Sequence, residues 1–181
     1  MTPEEIRAWT AKMEARRDEL ILLIEQAFDG VSREGGVSLS EAYVIDDRGD
    51  EIERAEARLE DTDTRWQDVD LSGFHALDIP MFFMDTIGFR YYLPVFLIAE
   101  LKSIVAFPPS ERDPEGCIAW GHGEGLSFYV THTLHSVRPE QYVLLNATQR
   151  SVIRQVLQFF ADYGGDEAVT EPLERYWCQF V

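Results

Sequence analysis

Histidine, cysteine and acidic side chains gather between positions 117 and 135: Cys117, His122, Glu124, His132 and His135. These are the residue types that hold zinc, which takes three or four such ligands in a tetrahedron. Their spacing opposes a single centre. With residues 117–121 and 126–132 paired as a hairpin, His122 and Glu124 sit in its loop, and His132 falls ~20 Å away at ~3.3 Å per residue. His132 and His135, three apart in a strand, point to opposite faces. The run Gly121-His122-Gly123-Glu124-Gly125 has the glycines of a phosphate cradle. It lacks the following Lys-Ser/Thr, and it precedes a strand rather than a helix. The expectation is no metal and no cofactor. A small metal-dependent or small-molecule-processing enzyme using His122 and Glu124 is the alternative reading.

Carboxylates form a second field: Asp46, Asp47, Asp50 and Glu51, then Asp61, Asp63, Asp68 and Asp70. A calcium loop starting at Asp61 would place Trp66 where glycine is needed and Ser72 where glutamate is needed. No apolar pocket is evident to raise one carboxyl for acid–base work, so no catalytic residue is assigned. The run reads instead as a surface. Glu53, Glu56, Glu60, Asp61 and Asp63 are the candidate contacts for a basic protein partner. Sixteen Lys and Arg against thirty-three Asp and Glu leave a net charge of −17, which disfavours nucleic acid and anionic lipid. The same charge would speed encounter with a basic partner and set specificity.

Arg90 stands among aromatics just after Asp85. One reading is an Asp85–Arg90 pair across a hairpin. The other is a guanidinium lining a groove with Tyr91, Tyr92 and Trp120.

The elements that must position these residues follow from periodicity and caps. At 181 residues, 45% hydrophobic, the chain is sized for one domain with a real core. Thr2, Pro3 and Glu5 open a first helix that Asp29-Gly30 closes. Its apolar stripe is narrow before Arg16-Arg17 and wide after Leu20. Residues 1–18 therefore read as a helical extension continuous with the first core helix, and residues 19–181 as a single α+β domain. Trp9 and Met13 on this arm either pack on their own domain or make a homodimer. Ser38 with Glu41 opens a second helix, and residues 50–60 form a third, very acidic one. Residues 79–84 and 89–93 read as two strands around a turn at residues 85–88. Pro94 then starts a helix ending at Ser103. Ile118 and Trp120 pair with residues 126–130, and residues 142–145 form a last strand. Residues 108–116 read as a loop. Asn146 with Gln149 caps a helix whose buried stripe holds Val156, Leu157 and Phe160, and residues 166–178 form a closing helix. The expected fold is α+β: N-terminal helices, a central, mostly antiparallel sheet of about four to five strands, and C-terminal helices packed on it.

Two cysteines, Cys117 and Cys178, are too few for a disulfide framework and read as free thiols in a reducing cytoplasm. The N-terminus lacks the basic start and apolar run of a signal peptide. The most apolar stretch, residues 81–107, is broken by charges and too short between them to span a membrane.

Several segments carry a resemblance. They are residues 24–28 with Gly36-Val37-Ser38-Leu39-Ser40-Glu41-Ala42, then Asp61-Thr62-Asp63 with Trp66. Asp85 with Gly88-Phe89-Arg90-Tyr91-Tyr92-Leu93-Pro94 follows, and finally Leu145 with Gln149, Ile153 and Phe159-Phe160. Over residues ~20–163 the chain resembles a bacterial family of small acidic proteins known only as a domain of unknown function. The spacing Leu145, Gln149, Ile153 is also similar to a helix of toxin-neutralising proteins. The family carries no assigned activity, so the resemblance implies no catalytic residues. The functional expectation is a non-enzymatic, immunity- or inhibitor-like protein-binding module.

Overall fold

The computed structural model describes residues 2–71, 81–110, 113, 115–120, 134, 138–164 and 167–180. Within them the chain forms six α-helices and one two-stranded sheet.

Helix α1 (Pro3–Ala27) starts on a reciprocal cap. The Glu5 N–H donates to the Thr2 hydroxyl at 3.2 Å, and the Thr2 N–H donates to the Glu5 carboxylate at 2.6 Å. Met13, Leu20 and Ile24 recur on one side and are buried. Helices α2 (Leu39–Asp46) and α3 (Glu51–Glu60) carry the same two-way cap, through Ser38 with Glu41 and Asp50 with Glu53, and pack on each other as a helical hairpin.

Helix α4 (Thr86–Ser103) is the centre of the molecule. Asp85 caps it, its Oδ1 accepting the Gly88 N–H at 2.8 Å and the Val37 N–H at 3.1 Å. Phe89, Tyr91, Tyr92, Leu93, Phe96, Leu97 and Leu101 are all fully buried and cover most of the helix's circumference, leaving Val95, Ile98 and Ala99 half-buried along one side. Strands β1 (Ile104–Phe107) and β2 (Cys117–Trp120) follow as an antiparallel pair, Ile104 opposite Trp120 and Phe107 opposite Cys117. Helix α5 (Ala147–Gly164) packs against α1 and β2, and α6 (Glu167–Arg175) packs on α5. The predicted Asn146 cap is present in both directions, with bonds of 2.9 and 3.0 Å to Gln149. Val156, Leu157 and Phe160 are buried as their spacing predicts.

The expected α+β fold with a four- to five-strand central sheet is overturned. The protein is mostly helical, and the described sheet has two strands. Residues 81–83 form a 3-10 turn, residues 89–93 lie inside α4, and residues 139–142 form another 3-10 turn where a strand was expected nearby. Pro94 sits within α4 rather than opening a helix. The cause is burial. A helix buried over most of its circumference loses the polar face that marks a 3.6-residue period, so its apolar run reads like a strand. β2 pairs with β1, and the expected partner at 126–130 lies outside the described residues.

The N-terminal arm is held by its own chain. The Trp9 ring stands edge-on to Tyr163 of α5, with centroids 5.7 Å apart. Arg16 Nη2 donates to Gln155 at 3.0 Å, and Met13 is buried between them in sequence. Trp9 therefore packs on its own domain, half-buried against α5.

Among the described residues no helix is long and apolar enough to cross a membrane.

Candidate functional site

Glu41 determines how the acidic helix is turned. It is the third residue of α2, fully buried, and its carboxylate receives Arg58 Nε at 2.8 Å and Arg54 Nη2 at 3.2 Å. Burial alone would push Glu41 up. The bonds from Arg58, the Ser38 backbone and Arg54 outweigh it and hold Glu41 below its ordinary value. Arg54, Ala57 and Arg58 therefore face α2. At about 100° per residue, the opposite side of α3 presents Ile52 and Leu59, bordered by Glu56 and Glu60, with Glu53 farther round towards Ala57. All five side chains are exposed, Ile52 by 69% and Leu59 by 79%. Asp46, Asp47 and Asp50 lie exposed just before the helix starts.

Past the end of α3 the chain enters a clamp. Asp61 accepts the Ser40 N–H at 2.8 Å and the Ser40 hydroxyl at 3.0 Å, which satisfies a donor in the first turn of α2. Arg33 donates to the Asp61 carbonyl at 2.8 Å and to the Tyr92 hydroxyl at 2.9 Å. Its guanidinium stands 3.8 Å from Asp63, whose carboxylate accepts the Tyr91 hydroxyl at 2.7 Å. Burial first, then the bond to Asp63, pushes the Tyr91 phenol up. Burial pushes Tyr92 to about 12, against the pull of Arg33. Neither phenol supplies a proton acceptor at neutral pH. Beside the clamp, residues 60–64 and 68–70 line a cleft of about 520 Å³ with Leu39 and Ser40.

The predicted partner-binding residues thus divide. Glu53, Glu56 and Glu60 are exposed on α3. Asp61 and Asp63 are partly buried, and their carboxylates hold α2, Tyr91 and Arg33.

The expected groove of Arg90, Tyr92 and Trp120 is not assembled by the described geometry. Arg90 and Tyr92 are two residues apart on α4, which turns them about 200° from each other. Arg90 Nη2 reaches Glu34 at 3.4 Å, whereas the Tyr92 hydroxyl meets Arg33. The Asp85–Arg90 pair across a hairpin is replaced by Asp85 capping α4. The Trp120 side chain, His122, Glu124, His132 and His135 lie outside the described residues. Among the described residues no group of three metal-ligating side chains comes together.

Sequence reasoning missed Ile52 and Leu59. The signal was available in their seven-residue spacing on a helix whose arginines fall on the other side. It also missed the clamp, whose bonds span 21 to 59 positions.

The chain belongs to a family of unknown function (DUF6714), whose model matches residues 16–181. No curated protein and no solved structure matches it.

Proposed function

We propose that the protein is a non-enzymatic binding module whose α3 face receives a basic protein partner, in the manner of an inhibitor covering a cationic groove. The observation that supports this is the division of charge on α3. Arg54 and Arg58 are both bonded to Glu41, Arg58 staying half exposed beside it, so Glu56 and Glu60 stand outward without a basic residue between them, next to Glu53, which also accepts the Asp50 N–H. A net charge of −17 adds a long-range field that favours encounter with a cation-rich surface. The two free cysteines, one exposed, suit a reducing cytoplasm. An enzyme such as a nuclease, with a positive groove for phosphate, is the kind of partner whose active site such a face would block.

The test is affinity capture with the full chain and with an E56K/E60K variant, followed by identification of proteins that only the parent retains. A retained protein with a basic surface, whose association slows as salt rises, supports the reading. Capture of the same proteins by both forms at 0.1 M and 1 M salt would overturn it, because the Debye length falls from ~10 Å to ~3 Å across that range.

A further inference from the structure

The outward side of α3 carries more than charge. Ile52 and Leu59 are seven residues apart and so stand on one line along the helix, ~10 Å from each other at 1.5 Å per residue. They point almost directly away from Ala57, the one buried side chain of α3. Both are more than two-thirds exposed, and Ala55 between them is exposed as well. Single exposed aliphatics are ordinary, but two in register on a charged helix form a ridge. Glu56 and Glu60 run along one flank of it, and Glu53 lies farther round towards Ala57. Glu51 lies beyond the other flank, where Arg54 holds it at 3.3 Å.

We infer that this ridge is the docking line for an amphipathic helix of the partner, with apolar side chains at seven-residue spacing and Lys or Arg along one edge. The inference rests on the binding reading above and names the form of the partner at that face. An apolar ridge with a seven-residue repeat is matched by another helix whose side chains fall in the gaps at the same ~10 Å interval. Charge on a single flank gives the pair an orientation, since a basic edge on the wrong side would leave the glutamates unanswered. A second copy of this chain is disfavoured as occupant. It would set Glu56 and Glu60 against their own equivalents, on molecules each carrying −17. Anionic lipid is disfavoured by the same charge.

Two synthetic 21-residue helical peptides of one Leu/Lys composition test this. In the first, the leucines fall on one stripe at spacings of three, four and seven, with lysines beside them. In the second, the leucines are spread around the helix. Binding to the full chain is measured by fluorescence anisotropy at 0.05 M and 0.3 M salt. The striped peptide is expected to bind at least tenfold more tightly than the spread one. An I52Q/L59Q variant, shown by circular dichroism to melt like the parent, is expected to lose that preference while keeping the salt-sensitive attraction to both peptides. A tenfold preference that survives I52Q/L59Q, or equal binding of both peptides to the parent, overturns the helix-docking inference and leaves the acidic-face reading standing. No salt-sensitive binding of either peptide overturns both.

Discussion

Gly88 lies so close to Val37 that a β-carbon on it would stand 2.2 Å from the Val37 carbonyl oxygen. The contact is mutual, because a β-carbon on Gly36 would stand 2.6 Å from the Gly88 nitrogen. Asp85 binds both strands of this crossing, Gly88 on one side and Val37 on the other. Residues 36–37 are thereby fixed against the first turn of α4, which sets where α2 begins. An alanine at 88 would favour the helix by up to ~1 kcal/mol. Forcing two backbones apart costs more, roughly 1–3 kcal/mol for a tightly packed site. The expected outcome for Gly88→Ala is a net loss of up to ~2 kcal/mol in urea unfolding. A gain in stability would show that the crossing yields without cost.

Acid should expose the part played by Glu41. Its folded value lies below the ordinary 4.5, so the folded chain binds fewer protons than the unfolded chain around that pH. The stability it contributes is present above pH ~4.5 and is lost as pH falls through its folded value. Glu41→Gln keeps a capping side chain but removes the charge that holds Arg54 and Arg58. The variant should be ~1–3 kcal/mol less stable at pH 7, as for loss of hydrogen bonds to a charged group. The difference between parent and variant should shrink below pH 4. A constant difference from pH 7 to pH 3 would remove Glu41 as an ionised hub.

Much of the local structure was legible, because caps act across three residues. Thr2 with Glu5, Ser38 with Glu41 and Asn146 with Gln149 each mark a helix start that the fold uses, and Asp50 with Glu53 adds a fourth that the charge pattern of residues 50–60 left unread. Helix α4 was not legible, since most of its circumference from Phe89 to Leu101 is buried and its half-buried side carries Val95, Ile98 and Ala99 rather than polar residues, so no period survives. In the sequence its Asp85 cap reads equally as a turn residue, the other structure in which aspartate answers nearby N–H groups. At the candidate site the acidic helix was plain, but its rotation was not. Aliphatic residues on an amphipathic helix ordinarily face the core. Here a buried carboxylate on α2 pulls the arginine side inward and leaves Ile52 and Leu59 outside. That carboxylate lies 13 and 17 positions from its arginines, beyond the reach of any pattern within one helix.

Alkali should act through the tyrosines. Burial pushes Tyr92 and Tyr142 up to about 12 from an ordinary 10, and burial with the Asp63 bond moves Tyr91 upward as well. Each raised value means stability that is whole below pH 10 and is lost as pH rises towards 12. Tyr91→Phe removes the 2.7 Å bond to Asp63 and leaves that carboxylate facing Arg33 at 3.8 Å. The expected cost is ~1–3 kcal/mol at pH 7, for a bond to a charged acceptor. The fall in stability between pH 10 and pH 12 should be shallower in Tyr91→Phe than in the parent. Equal slopes would show that Tyr91 titrates freely in the fold.

Two leucines should separate the core from the exposed side of α3. Leu157 lies on the buried stripe of α5 with no exposed surface, while Leu59 on α3 is 79% exposed. Leu157→Ala removes atoms from a site closed on all sides, so it loses both the transfer term and the contacts around the cavity. The expected cost is ~2–5 kcal/mol. Leu59→Gln removes an apolar side chain that touches mostly water, and glutamine forms helix about as well as leucine. The expected change is within ~0.5 kcal/mol, the range of surface sites. Urea unfolding of both variants under one condition checks the contrast. A Leu59→Gln loss above ~1.5 kcal/mol, closer to core than surface behaviour, would mean that Leu59 is packed in the folded protein. The ridge would then be part of the core and closed to any partner. A Leu157→Ala change below ~0.5 kcal/mol would mean that α5 turns a different side to the core.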